Sequence, residues 1–182
     1  GAQARDDALT LALDDDAAID LPWKRVAKID IRSDRLLYLS DMDPVAVEQS
    51  AIVTRVLPWQ RDRAAAGTEL KIGDRTFSRG IGVHARCLLS FDTNARFDVF
   101  AATIGIDAVA SGGGGKGDCV FIVKGDGREL YRQRVKGEDK PRDVQIDITG
   151  VDRLTLLVEP GEDLDLADHA DWAEARVIRN PE

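Results

Sequence analysis

Aromatic residues are scarce in this 182-residue chain, at 5% of the composition. With so few rings, Val, Ile, Leu and Ala must fill most of any core. Cysteine and histidine are rarer still, two of each. That count argues against a disulfide-dense scaffold and against a Cys/His zinc module. Cys87 and Cys119 fall in separate expected strands, and two buried free thiols are expected, a disulfide being the other reading. Cationic excess is also missing: 25 Lys and Arg face 33 Asp and Glu, for a net charge of −8 and a pI near 4.9. Phosphate binding needs clustered Lys and Arg, so nucleic acid is not an expected partner. No run of eighteen apolar residues occurs, so no membrane-inserted helix is expected. No secretory leader is visible at the start, and the opening Gly1-Ala2-Gln3-Ala4 is compatible with a scar ahead of a mature N-terminus.

Catalytic signatures are absent as well. There is no Walker loop, no His-Glu-x-x-His and no Gly-x-Ser-x-Gly. A glycosidase needs two carboxylates at a defined separation, but 33 acidic residues make candidate pairs uninformative. The expectation is a chain that is not an enzyme. A core of 182 residues folds without metal or disulfide, because about 70% of the unfolded surface is buried at this size.

What is present reads as strand after strand. Val144, Ile146 and Ile148 alternate with Gln145, Asp147 and Thr149, the clearest half-buried strand in the chain. Further strands are expected at Val26 to Ile31, Arg35 to Leu39, Cys87 to Phe91, Phe97 to Ile106, Val120 to Val123, Glu129 to Val135, Leu154 to Val158 and Ala173 to Val177. Gly125-Asp126-Gly127 marks a hairpin, Gly112 to Gly115 a loop, and residues 45 to 69 are expected to be irregular. Strands at intervals of ten to fifteen residues without convincing helices indicate an all-β antiparallel sandwich of jelly-roll type. Residues 1–54 are expected to form an N-terminal β extension packed on a sandwich of residues 55–182.

Two stretches concentrate the unusual side chains. Arg79-Gly80-Ile81-Gly82-Val83-His84-Ala85 sets a histidine beside glycines that permit close backbone approach. Asp168-His169-Ala170-Asp171-Trp172 places two carboxylates three residues apart and follows an acidic loop. His84, Asp107, Asp171 and Trp172 are the candidate ligand-binding residues: Trp172 as a face for a sugar ring, the others as partners for hydroxyls. The bland readings stand beside these: a hydrogen-bonded core imidazole, a turn-capping Asp107 and a core tryptophan. Asp168 and Asp171 are the candidate metal ligands, since calcium takes hard oxygen donors. An EF-hand loop is absent. Trp23 and Trp59, in loops with arginines nearby, are candidate stacking platforms.

From about residue 55 to 178 the chain resembles the NPCBM family, which is similar to carbohydrate-binding module family 51. The resemblance rests on Phe77 to Ala85, Ile104-Gly105-Ile106-Asp107, Val120-Phe121-x-Val123, Gly125-Asp126-Gly127, Val144 to Gly150 and Asp168 to Ala175, in that order. It implies a galactose-binding-like sandwich and a non-catalytic module for galactose-type or other glycans. It also implies a structural calcium in some members. The implied setting is a secreted, periplasmic or cell-surface bacterial protein, with a glycoside hydrolase domain or another extracellular protein as partner. The alternative is a structural or protein-interaction sandwich with no sugar site.

Overall fold

The computed structural model describes residues 2–12, 17–26, 35–108, 116–162 and 164–181. The chain divides into two compact units, Gly1–Arg32 and Ser33–Glu182. The expected strand at Val26 to Ile31, the Gly112 to Gly115 loop and Asp163 lie largely or wholly outside the described residues.

In the first unit β1 (Ala2–Ala4), β2 (Ala8–Ala12) and β3 (Ala18–Pro22) form an antiparallel meander. Register pairs Leu9 with Leu21 and Leu11 with Ile19, giving one apolar face. On the other face the Thr10 hydroxyl donates to Asp20 at 2.5 Å. A single 3₁₀ turn, Trp23–Arg25, follows, and the Trp23 indole donates to the Arg5 carbonyl.

The second unit contains β4 (Leu36–Tyr38), β5 (Ala46–Gln49), β6 (Gln60–Arg61), β7 (Leu70–Ile72), β8 (Arg75–Phe77), β9 (Gly80–His84) and β10 (Cys87–Asp92). It continues with β11 (Val99–Ile106), β12 (Asp118–Gly125), β13 (Arg128–Lys136), β14 (Arg142–Asp147), β15 (Arg153–Pro160) and β16 (His169–Ile178). One sheet has the order β13-β12-β15-β10-β5; the other runs β14-β11-β16-β9-β6, with β4 also paired to β16. β7 and β8 form a separate hairpin. The all-β antiparallel sandwich expected from the strand pattern is what the chain forms.

Two strands sit where irregular chain was expected, β5 and β6. Both are edge strands, of four and two residues, too short to show a period. β4 and β5 belong to the sandwich sheets, although residues 1–54 were assigned to the extension. The last strand is four residues longer at its start than the apolar alternation indicated, because it is covered on both faces and its polar residues are buried too.

The core lies between the two sheets. Ile81, Phe100, Ile104 and Trp172 enter from one side, and Leu89, Phe91, Phe121, Leu154 and Leu156 from the other, each at most 1% exposed. Trp172 is the largest of them. Its ring meets Phe121 edge-on at 4.9 Å and Phe100 at 6.1 Å. Both cysteines are buried, and neither is in a disulfide. Cys87 lies opposite Val158 and Cys119 opposite Pro160, so β15 separates them. Two strand spacings are about 10 Å, beyond the roughly 7 Å Cα limit for a disulfide. Burial pushes the Cys87 thiol up to about 12, which leaves it inert as a nucleophile.

Truncating Trp172 to Ala leaves a large cavity between the sheets and is expected to cost about 3–5 kcal/mol. Urea denaturation of Trp172→Ala against Trp172→Phe checks this, the phenylalanine variant losing clearly less.

Candidate functional site

Three strands bring the sequence-selected residues into one neighbourhood. Register sets His169 on β16 opposite His84 on β9, and the Asp107 backbone N–H donates to the His169 carbonyl at 2.8 Å. Asp171, two residues along, lies opposite Gly82 on one side and Gly105 on the other. Alternation along β16 sends Asp171 to the face away from Trp172.

The glycines explain why this face is sealed. A Cβ on Gly82 would lie 2.3 Å from the Arg63 carbonyl oxygen, and one on Gly105 would lie 2.1 Å from Ile72 Cγ2. The loop after β6 and the β7–β8 hairpin therefore rest directly on the sheet. Leu70, Ile72 and Phe77 pack there with Ala173 as a second small core. Beneath this cover the Lys71 backbone N–H donates to Asp107 at 3.2 Å, and the two imidazole rings meet edge to face at 5.1 Å.

Burial shifts the titrating groups. Asp171 is raised well above the ordinary carboxylate value, first by desolvation and then by the Asp107 carboxylate beside it. His169 is lowered by desolvation and by His84, against the opposing pull of Asp107.

The four expected ligand contacts all lie inside the protein. His84, Asp107, Asp171 and Trp172 are 4%, 0%, 0% and 1% exposed. Asp107 accepts a hydrogen bond from the hairpin backbone, His84 and Asp171 lie buried in the same neighbourhood, and Trp172 fills the core, so none presents a face to solvent. Trp59 is half-buried, with the Arg61 guanidinium 5.0 Å over its ring. Arg79 of the glycine-rich motif pairs with Asp41 at 2.6 Å and lies 5.2 Å over the Tyr38 ring.

The expected calcium pair, Asp168 and Asp171, is buried; Asp168 accepts from the Asp118 backbone N–H at 2.8 Å, and Asp171 lies on the face under the hairpin. Calcium wants six to eight oxygens, with ionised carboxylates among them. Among the described residues no group of three or more His, Cys, Asp or Glu side chains is placed to hold a metal.

The acidic loop has a different use. Asp165, fully buried, accepts from the backbone N–H groups of Ile52, Val53 and Thr54 at 2.8, 3.0 and 3.4 Å and from the Thr54 hydroxyl at 2.8 Å. Burial alone would raise this carboxyl, but those four donors hold it well below its usual range. The loop before β16 is thereby tied to the loop after β5.

This tie shapes one wall of a cleft of about 710 Å³ at a loop end of the sandwich. Lys116, Asp118, Arg134, Lys136, Glu162 and Leu166 line it. Arg134 binds Asp118 through two guanidinium nitrogens and Glu162 at 2.8 Å. The Asp118 carboxyl is lowered chiefly by that Arg134 contact. Cations and anions thus alternate around an apolar Leu166, an arrangement that offers donors and acceptors to hydroxyls without a strong net charge. Sequence reasoning missed Asp118, Arg134 and Glu162, which come from three distant segments. The one signal for the place was the acidic loop beside the glycine-rich stretch.

Fold and cleft define a ligand-holding β-sandwich module, and the comparisons give it a family. Residues 35–178 match the family described as NPCBM/NEW2 domain, and the chain belongs to that family. It is 30% identical over 128 residues to "Putative endo-alpha-N-acetylgalactosaminidase" of Renibacterium salmoninarum, a match that covers 66% of this chain and 8% of the relative. The chain thus spans only a small part of that curated relative. Among solved structures, the CBM51 of a Clostridium perfringens GH95 protein in complex with methyl-galactose has a TM-score of 0.68 at 22% identity, over 78% of this chain and 99% of that one. CBM51-2 with INT domains of Clostridium perfringens ZmpB, in complex with GlcNAc, has a TM-score of 0.72 at 19% identity, over 94% of this chain and 36% of that one.

Two carboxylates should titrate stability in opposite directions. The raised Asp171 contributes most below its unfolded value of about 4, and its contribution fades as pH climbs toward the folded value. Asp171→Asn, which keeps a donor toward Asp107, is therefore expected to match or exceed wild-type Tm at pH 7–8 and to lose its advantage at pH 4. The depressed Asp165 contributes above about pH 4 and is lost as pH falls further. Asp165→Ala is expected to lower Tm clearly at pH 7, the gap closing in acid. Thermal melts from pH 3 to 8 check both signs.

Proposed function

We propose that this chain is a non-catalytic carbohydrate-binding module that holds galactose- or GlcNAc-containing glycans in the 710 Å³ loop-end cleft. Membership of the NPCBM/NEW2 domain family over residues 35–178 carries the reading. The cleft adds chemical support. Arg134, Lys116 and Lys136 supply donors, Asp118 and Glu162 supply acceptors, and Leu166 offers an apolar contact for the sugar's C–H surface. Sugar hydroxyls are already well solvated, so such hydrogen bonds give modest net free energy and millimolar to micromolar affinity. Tethering to a carbohydrate-active enzyme raises the effective concentration and makes that affinity sufficient. An extracellular bacterial setting, beside a glycoside hydrolase or peptidase domain, follows from the same reading.

A second reading has an observation of its own. Val45, Val47, Ile52, Val53 and Val56 are 43–55% exposed along the β5 edge and the loop after it. That surface suits contact with another domain, and it is compatible with glycan binding elsewhere on the module.

Calorimetry and a glycan array test the proposal. Methyl-galactose or GlcNAc-terminated glycans are expected to bind, and Lys136→Ala with Glu162→Gln to weaken binding about fivefold or more with little change in Tm. Absence of binding across the array, or binding indifferent to every cleft substitution, would sink it.

A further inference from the structure

We propose that Arg134 sets the specificity of the loop-end cleft: its guanidinium, fixed in one plane by Asp118, reads the adjacent 3- and 4-hydroxyls of a terminal pyranose. This rests on the carbohydrate-binding reading above. A guanidinium carries five N–H donors in a rigid fork. Three of them are engaged here. Asp118 takes the Nε–H and one Nη2–H side-on, and Glu162 takes one Nη1–H at 2.8 Å. Among the described residues, one N–H on each of the two terminal nitrogens has no acceptor. The Arg134 side chain is 36% exposed where it lines the cleft, so a ligand can reach that end of the fork.

The two carboxylates do different work. The Asp118 side chain is 10% exposed and that of Glu162 is 81% exposed. Asp118 also accepts from the Glu162 backbone N–H at 3.3 Å, and its own backbone N–H donates to Asp168 at 2.8 Å. It lies flush on Gly161, where any Cβ would overlap its carboxyl carbon. Asp118 is therefore a positioning residue: a buried, two-point contact that orients the fork before a ligand arrives. An exposed ion pair such as that of Glu162 is weak. Its carboxylate is open to accept the hydrogen of a hydroxyl whose oxygen accepts from Arg134.

Two coplanar donors on neighbouring nitrogens match two hydroxyl oxygens on neighbouring ring carbons that stand gauche to each other. The 4-hydroxyl is axial in galactose and equatorial in GlcNAc, yet in both it is gauche to the 3-hydroxyl. The fork therefore admits both sugars and leaves the 2-position unread. It rejects a ring substituted at the 3- or 4-position, which selects the non-reducing end of a glycan over its internal units.

NMR titration of the whole chain tests this, with methyl-galactose, its 2-, 3- and 4-deoxy analogues and GlcNAc as probes. The 3- and 4-deoxy sugars are expected to bind about tenfold more weakly than methyl-galactose, as befits loss of a hydrogen bond to a charged group. The 2-deoxy sugar is expected to bind within about twofold of it. Arg134→Lys keeps a cation against Asp118 but removes the fork. It is expected to weaken methyl-galactose about tenfold and to bind the 3- and 4-deoxy sugars as well as the parent, a loss of discrimination that a merely structural role would not produce. The deoxy series on the unaltered chain decides the matter by itself if that variant fails to fold. Binding of methyl-galactose that is indifferent to removal of its 3- and 4-hydroxyls, or discrimination retained in Arg134→Lys, would overturn the role of the fork and leave the carbohydrate reading intact. No response to methyl-galactose or GlcNAc would overturn both.

Discussion

Burial of β16 on both of its faces is the constraint on which the rest depends. One face sends Trp172 between the sheets against Phe100 and Phe121. The other carries Asp171 and His169 beneath a hairpin and a loop that the glycines of β9 and β11 allow to rest on the sheet. A carboxyl there lies in a low-dielectric site beside a second carboxyl, which raises its pKa. A strand with a tryptophan on one side and a buried aspartate on the other has little freedom to slip. A shift of one residue would put the acid in the core and the indole under the hairpin.

The same two-sided burial decides what the sequence could reveal. Val144 to Ile148 alternates because β14 is an edge strand with one wet face, and it was legible at once. The sandwich and most strands followed from such patterns and from turn residues. β16 was legible only in its apolar half, since His169 and Asp171 look like surface residues until their cover is known. The side chains of the two motif stretches that were expected at a ligand lie buried. Unusual side chains beside glycines mark a close packing of backbone on sheet as readily as they mark a ligand. The cleft residues Asp118, Arg134 and Glu162 carry no local signal, because their proximity comes from the pairing of β12 with β13 and a loop folded back over both.

Scaffold and rim are built from different residues. The residues that carry the NPCBM resemblance are largely the buried ones, which hold register and cover. The cleft residues are mostly long and charged, at loop or strand-end positions. A fold shared with CBM51 structures at 19–22% identity is consistent with that division, since packing constrains the buried set while the rim is free to vary.

Asp165 gives the two rim loops a common fate. Its carboxylate is the hub on which three successive amides of residues 52–54 converge from more than a hundred positions away in the chain. Neither loop can be recast alone. Any exchange of the 162–167 segment between relatives, by evolution or by grafting, must bring a compatible 52–54 segment with it. The two loops at this end of the sandwich thus share one anchor.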